Sequence, residues 1–173
     1  IAKRYTNLEV HISTQQSLAN SLAVKFYEEY GASRVVLARE LSIKEIEEIK
    51  RNTNLELEVF IHGGMCSSYS GRCVLSNHLT RRDANRGGCA HSCRWNYHLF
   101  KGNKKIGPRG KYFNMGSKDL MAVEQLPDLI EMGVASLKIE GRLKKTEYVK
   151  NIVADDRQKL GKGSSSGKSI YPF

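Results

Sequence analysis

Four cysteines, Cys66, Cys73, Cys89 and Cys93, fall within one glycine- and arginine-rich stretch, FIHGGMCSSYSGRCVLSNHLTRRDANRGGCAHSCRW, and the chain has no others. Six, fifteen and three residues separate them in turn. Thiols gathered in this way point to shared chemistry rather than to isolated core positions. Zinc knuckles place about two to four residues between paired cysteines, a spacing that only Cys89 and Cys93 meet. An iron-sulfur cluster needs four thiolates and accepts uneven spacing, with amides of nearby loops reaching its sulfurs. Gly63, Gly64, Gly71, Gly87 and Gly88 supply such loops. Disulfides suit an oxidising compartment, whereas a lysine-rich chain with all its cysteines in one loop fits a reducing one. The residues alone leave an iron-sulfur cluster, zinc and redox or unliganded thiols open, and the cluster fits the spacing best. A single cysteine activated by His62, His78, His91 or His98 is a further option. His62 is the best placed of these, four residues before Cys66.

Charge surrounds these thiols. Arg72, Arg81, Arg82, Arg86, Arg94, Lys101, Lys104, Lys105, Arg109 and Lys111 face a single carboxylate, Asp83, and account for nearly all of the formal net charge of +10. Such a patch attracts polyanions, nucleic acid first among them, although a solvated lysine-rich surface has the same composition. No apolar run reaches the length of a membrane span, and IAKRYTNLEV lacks the layout of a secretory signal. A cytoplasmic protein without membrane contact is the expectation.

Alternating strands and helices must carry the cluster. Leu8–Ile12 reads as a strand, and Ser13 or Thr14 as the cap of a helix whose apolar face is Leu18, Leu22, Phe26 and Tyr30. Ser33–Ala38 is a second strand, and Ser42 with Glu45 forms a capping box that opens a helix carrying Ile43, Ile46 and Ile49. Leu55–Ile61 is a third strand, which runs into the cysteine segment instead of a helix. Tyr97–Phe100 and the turn KGNK suggest a small hairpin. A turn from Ser117 leads to a helix from about Leu126 to Gly133, then a strand over Ala135–Ile139 and a helix over Thr146–Leu160 with Tyr148 and Ile152 inward. Apolar strands alternating with helices indicate a parallel α/β sheet covered on at least one side, either an open sheet or part of a TIM-like barrel. The expected organisation is a partial β/α barrel over 1–160, with a cysteine-rich insertion and hairpin at about 62–112 and a flexible tail over 161–173. With Ile1 first and only four convincing parallel strands, the chain reads as a fragment of a longer one.

Each strand ends in a polar cluster: HISTQ, ARE, HGGMC and EGRLK. In a parallel α/β fold these ends share one face, where sites form. His62, Glu140 and Arg142 are therefore candidates for acid-base work, and Glu140 with Arg142 for holding a small carboxylate substrate.

The segments EVFIHGGMCSSYSGRCVLS, ANRGGCAHSCRWNYHL and SLKIEGRLKKTEYV closely resemble peptidase family U32, the collagenase-like proteases, over about Leu8 to Leu160. The resemblance implies a barrel with further β/α units upstream. It also implies either a peptidase or, as in better understood relatives, a part in hydroxylation of transfer RNA, ribosomal RNA or the ubiquinone ring. Similar cysteines in the ubiquinone branch bind a four-iron cluster, which implies a 4Fe-4S site at Cys66, Cys73, Cys89 and Cys93, with zinc as the alternative. In some relatives the fourth ligand lies farther along the chain than Cys93, and His91 and Ser92 stand where many have glutamine and proline. An RNA-modifying protein would hold phosphates with Arg81, Arg82, Arg86 and Arg94 and stack a base on Trp95, Tyr97 or Phe100. A peptidase would use His62 with a cysteine, Glu140 or a metal on a peptide substrate. A cluster-binding accessory subunit is the third reading.

Overall fold

The computed structural model describes residues 2–112, 115–142 and 144–163. After a short helical turn, α1 (Ala2–Tyr5), the chain forms β1 (His11–Ile12), α2 (Ser21–Glu29), β2 (Arg34–Val36), α3 (Ile43–Arg51) and β3 (Glu56–Gly64). The cysteine-rich segment follows with α4 (Leu75–Thr80) and the hairpin β4 (Leu99–Lys101) and β5 (Lys104–Ile106). The chain then returns to the sheet as β6 (Asp119–Met121), α5 (Leu126–Glu131), β7 (Ser136–Glu140) and α6 (Thr146–Gly163).

The expected strands are present and parallel: β1 pairs β2, β2 pairs β3, and β7 pairs β3. One strand was not anticipated. β6 runs antiparallel to the end of β3, setting Met121 against His62 and Asp119 against Gly64. Three residues are too few to show a period, so only the pairing reveals it. The sheet is therefore mixed, and among the described residues it is open.

Its two faces differ. Val35, Leu57, Val59, Leu137 and Ile139 pack with Val24, Ile46, Ile49, Leu126, Leu129 and Ile152 of the helices in one core. The residues between them in β2, β3 and β7 build a ladder of charge on the other face. Arg34 bonds Glu56 at 2.6 Å and lies 3.6 Å from Glu58, and Lys138 donates to Glu58 at 2.8 Å. Glu58 is only 4% exposed, a burial that a carboxylate tolerates when paired on both sides.

Helix starts explain the agreements and the misses. The Ser42–Glu45 capping box forms, and it turns Ile46 and Ile49 inward. Ser13, by contrast, caps only a single 3-10 turn, Thr14–Gln16, which ends at left-handed Ser17. α2 begins later, capped by Asn20. Its buried residue is Val24, whereas Leu22, Phe26 and Tyr30 are exposed, which corrects the expected apolar face. The four-residue recurrence is real, but the side that meets the sheet is set by where the helix starts. α6 continues three residues beyond Leu160 into the expected tail, of which 164–173 lie outside the described residues.

Candidate functional site

The polar clusters at the strand ends converge, chiefly to hold the cysteine loop. Ser70, midway between Cys66 and Cys73, is 1% exposed. Its amide donates to Glu40 Oε1 at 2.9 Å, and its hydroxyl meets Glu40, Thr14 and the Arg39 amide at 3.2–3.4 Å. The Ser17 hydroxyl donates to the Ser70 carbonyl. Gly71, at φ +73°, lies against the Gln15 carbonyl, where a side chain has no room. The sequence after β1 and the sequence after β2 thus grip one point of the cysteine segment.

Each thiol has its own anchor. Before Cys66, the Met65 carbonyl accepts bonds from Arg94 Nη2 (3.1 Å) and Ser117 Oγ (3.0 Å). The Arg94 guanidinium covers Gly64 so closely that a Cβ there would lie 2.5 Å from it. Cys73 is held by the side-chain amide of Asn85, which accepts from the Cys73 N–H at 3.0 Å and donates to its carbonyl at 2.9 Å. Ser76 joins α4 to the Cys89 loop by donating to the Arg82 carbonyl and accepting from the Ala90 amide. Behind Cys93, Tyr97 donates to the Ser92 carbonyl and the Met115 amide donates to the Cys93 carbonyl.

All four cysteines are free, half-buried and line one cavity of about 320 Å³ at the carboxyl ends of β3 and β7. Arg39, Arg72, Arg94, Arg142 and Lys144 line it too, with Glu140 as an acid among them. Two backbone amides already point at sulfur: Ser68 N–H at Cys66 (3.5 Å) and His91 N–H at Cys89 (3.4 Å). Among the described residues, no three histidine, cysteine or carboxylate side chains gather as a single metal ion requires. The four sulfurs thus share one cavity with backbone amides and with the cations that line it. His91 lines the same cavity with Nε2 buried and unpartnered. Burial first, then Arg142 and Arg94, hold its pKa below the ordinary value, so the neutral ring is favoured.

The structure separates the other candidate residues. Glu140 and Arg142 reach the cavity, where Glu140 Oε1 also accepts from the Arg142 amide at 3.0 Å. His62 is absent from the lining. It is 9% exposed and faces α6, with Nδ1 3.7 Å from Asp156 Oδ2 and its ring edge-on to Tyr148. Arg94 is a loop clamp, and Tyr97 is spent on the Ser92 carbonyl. Arg81, Arg82 and Arg86 are exposed beyond α4, and Trp95 is 44% exposed outside the cavity.

The sequence reading missed Asn85 and Asp156, and it held Ser70 only as part of the family-like segment EVFIHGGMCSSYSGRCVLS, without a role. Asp156 is wholly buried, and its signal was available: it lies four residues after Ile152 on the inward stripe of α6. Desolvation raises its pKa, while His62 opposes the rise. Nearby, Lys144 and Tyr148 both donate to Asp119, and the Lys144 bond holds that carboxyl below its ordinary range.

Comparison with known proteins bears on this arrangement. The model of peptidase family U32 matches residues 1–167. The chain is 55% identical over 153 residues to tRNA hydroxylation protein P1 of Bacillus subtilis, covering 86% of this chain and 36% of that protein. It is 41% identical to a 23S rRNA 5-hydroxycytidine synthase of Escherichia coli, covering 88% of this chain and 23% of the synthase. It is 35% identical to a collagenase of Porphyromonas gingivalis, covering 86% and 39%. The chain therefore spans well under half the length of these relatives. No solved structure matches it.

Proposed function

The chain belongs to peptidase family U32, and from that premise we propose that it is the cluster-bearing part of a cytoplasmic RNA-hydroxylating protein acting on transfer or ribosomal RNA. The observation that carries this reading is that all four cysteines line one cation-rimmed cavity at the strand ends. The names of the bacterial relatives support the RNA substrate. The open sheet fits an arc of a β/α barrel interrupted by the antiparallel β6: β1, β2, β3 and β7 are parallel neighbours in chain order, the helices pack on one face, and the other face carries the Arg34–Glu58–Lys138 ladder that an enclosed interior would shelter.

Cys66, Cys73, Cys89 and Cys93 would hold a 4Fe-4S cluster, which supplies one-electron chemistry when bound. The chain's own residues do the rest. The Ser70 contacts and the Asn85 amide fix the loop that presents Cys66 and Cys73. Arg39, Arg142 and Lys144 offset negative charge in the cavity and orient an anionic reactant there. Glu140 is the carboxylate placed to accept a proton in the cavity, and His91 offers a neutral imidazole beside it.

Anaerobic purification followed by iron and sulfide analysis tests the cofactor, and stoichiometric zinc without iron or sulfide would sink it. Mass spectrometry of nucleosides from cells lacking the protein tests the substrate, with loss of a one-oxygen mass gain expected. The collagenase relative supports a peptidase reading, but His62 faces Asp156 and does not line the cavity that holds the thiols it would have to activate.

A further inference from the structure

The hairpin β4–β5 is a piece of the molecule that the cavity does not use. Its six strand residues are all exposed, including Leu99 (47%), Phe100 (56%) and Ile106 (37%). A lone two-stranded ribbon with apolar residues in water is marginal at best, so its sequence serves something other than the core. Its register makes the conflict sharper. Lys101 and Lys104 stand directly opposite one another beside the turn, and Phe100 stands opposite Lys105. Like charges in cross-strand positions repel, and no carboxylate occurs anywhere between Asp83 and Asp119 to relieve them. Alternation places His98, Phe100 and Lys105 on one face, and Lys105 Nζ lies 3.4 Å from His98 Nε2. On that face Tyr112, 57% exposed, stacks on the His98 ring at 4.9 Å and 23°.

We propose that this hairpin is an RNA-holding arm that takes an unpaired segment of the substrate. Lys105, beside the rings, and Lys101 and Lys104, on the other face next to the turn, contact phosphates, while the His98–Tyr112 stack and Phe100 offer flat surfaces to bases. Cations with exposed rings beside them are what single-stranded RNA selects, because every base has a π-face and every linkage a charge. Local repulsion that the protein leaves uncompensated marks a functional site, and a polyanion removes it. The arm rests on the RNA reading above and adds the surface and the unpaired form of the RNA.

The test is fluorescence anisotropy of the protein with a labelled RNA stem-loop and with a blunt RNA duplex, each titrated with salt. The triple change Lys101→Gln, Lys104→Gln, Lys105→Gln should weaken stem-loop binding at least about tenfold and lower the salt slope by about 2–3. The pair Phe100→Leu, Tyr112→Leu should cost about tenfold with the slope unchanged, and should erase any preference for stem-loop over duplex. A matched charge change on α2 and α3, Lys25→Gln, Lys44→Gln and Lys50→Gln, should do neither. If the protein binds the stem-loop and both hairpin variants bind it equally well, the arm is refuted while the RNA reading stands. If the unaltered protein binds neither RNA at low salt, the RNA reading itself fails. If the aromatic pair changes only the oligomeric state, the surface is a protein interface and the arm is overturned.

Discussion

His62 Nδ1 lies 3.7 Å from the carboxylate of Asp156, a pair that joins β3 to α6, and neither residue lines the cysteine cavity. Asp156 has no exposed surface, and both its oxygens lack a hydrogen-bond partner in the described residues. Burial raises its pKa more than His62 lowers it, so folding favours the protonated carboxyl. That contribution is full below the ordinary value of 3.8 and is lost as pH rises through the raised folded value. Asp156→Asn fixes the neutral form and should gain stability relative to the unaltered protein as pH rises. Urea midpoints measured across that range check this, and an equal loss at every pH would refute it.

Asp119 has the opposite sign. Lys144 holds its folded carboxyl below 3.8, so its contribution is present above that value and is lost as pH falls through the depressed one. Asp119→Asn should therefore cost up to about 1 kcal/mol near neutrality, in view of the partial exposure of the pair, and nothing in strong acid. Thermal melts at the two extremes give the comparison.

Ser70→Ala removes the point where the β1 and β2 ends grip the loop and leaves Glu40 short of a donor. A loss of about 1–3 kcal/mol is expected. Alkylation of Cys66 and Cys73 should quicken in the folded protein, read by peptide mass spectrometry under reducing conditions. Unchanged rates would show that the grip does not shape the thiol loop.

Gly64→Ala drives a methyl into the Arg94 guanidinium and should free the Met65 carbonyl. Iron retained after anaerobic purification should fall, and Arg94→Lys should reproduce the loss because an ammonium lacks the planar fork. Normal iron in both variants would remove this clamp from the site.

Cys93 lines the same cavity as the other three thiols. Cys93→Ser should lose as much iron as Cys66→Ser, Cys73→Ser or Cys89→Ser. Full iron content in Cys93→Ser alone would assign the fourth ligand to another residue.

Local signals were legible in the sequence: the Ser42–Glu45 box, the apolar cores of β2, β3 and β7, the hairpin turn and the confinement of thiols and charge to one segment. Such signals depend on neighbours along the chain, through caps, alternation and turn chemistry. What escaped depended on partners far apart in sequence. Only the fold turned His62 toward Asp156, made Arg94 a clamp on Met65, and set Leu22, Phe26 and Tyr30 outward by starting α2 at Asn20. A residue's type names the bonds it can make, but packing against distant elements decides which of them form. Composition thus announced a thiol site beside a basic surface, and tertiary structure divided the arginines and aromatics between building that site and facing solvent.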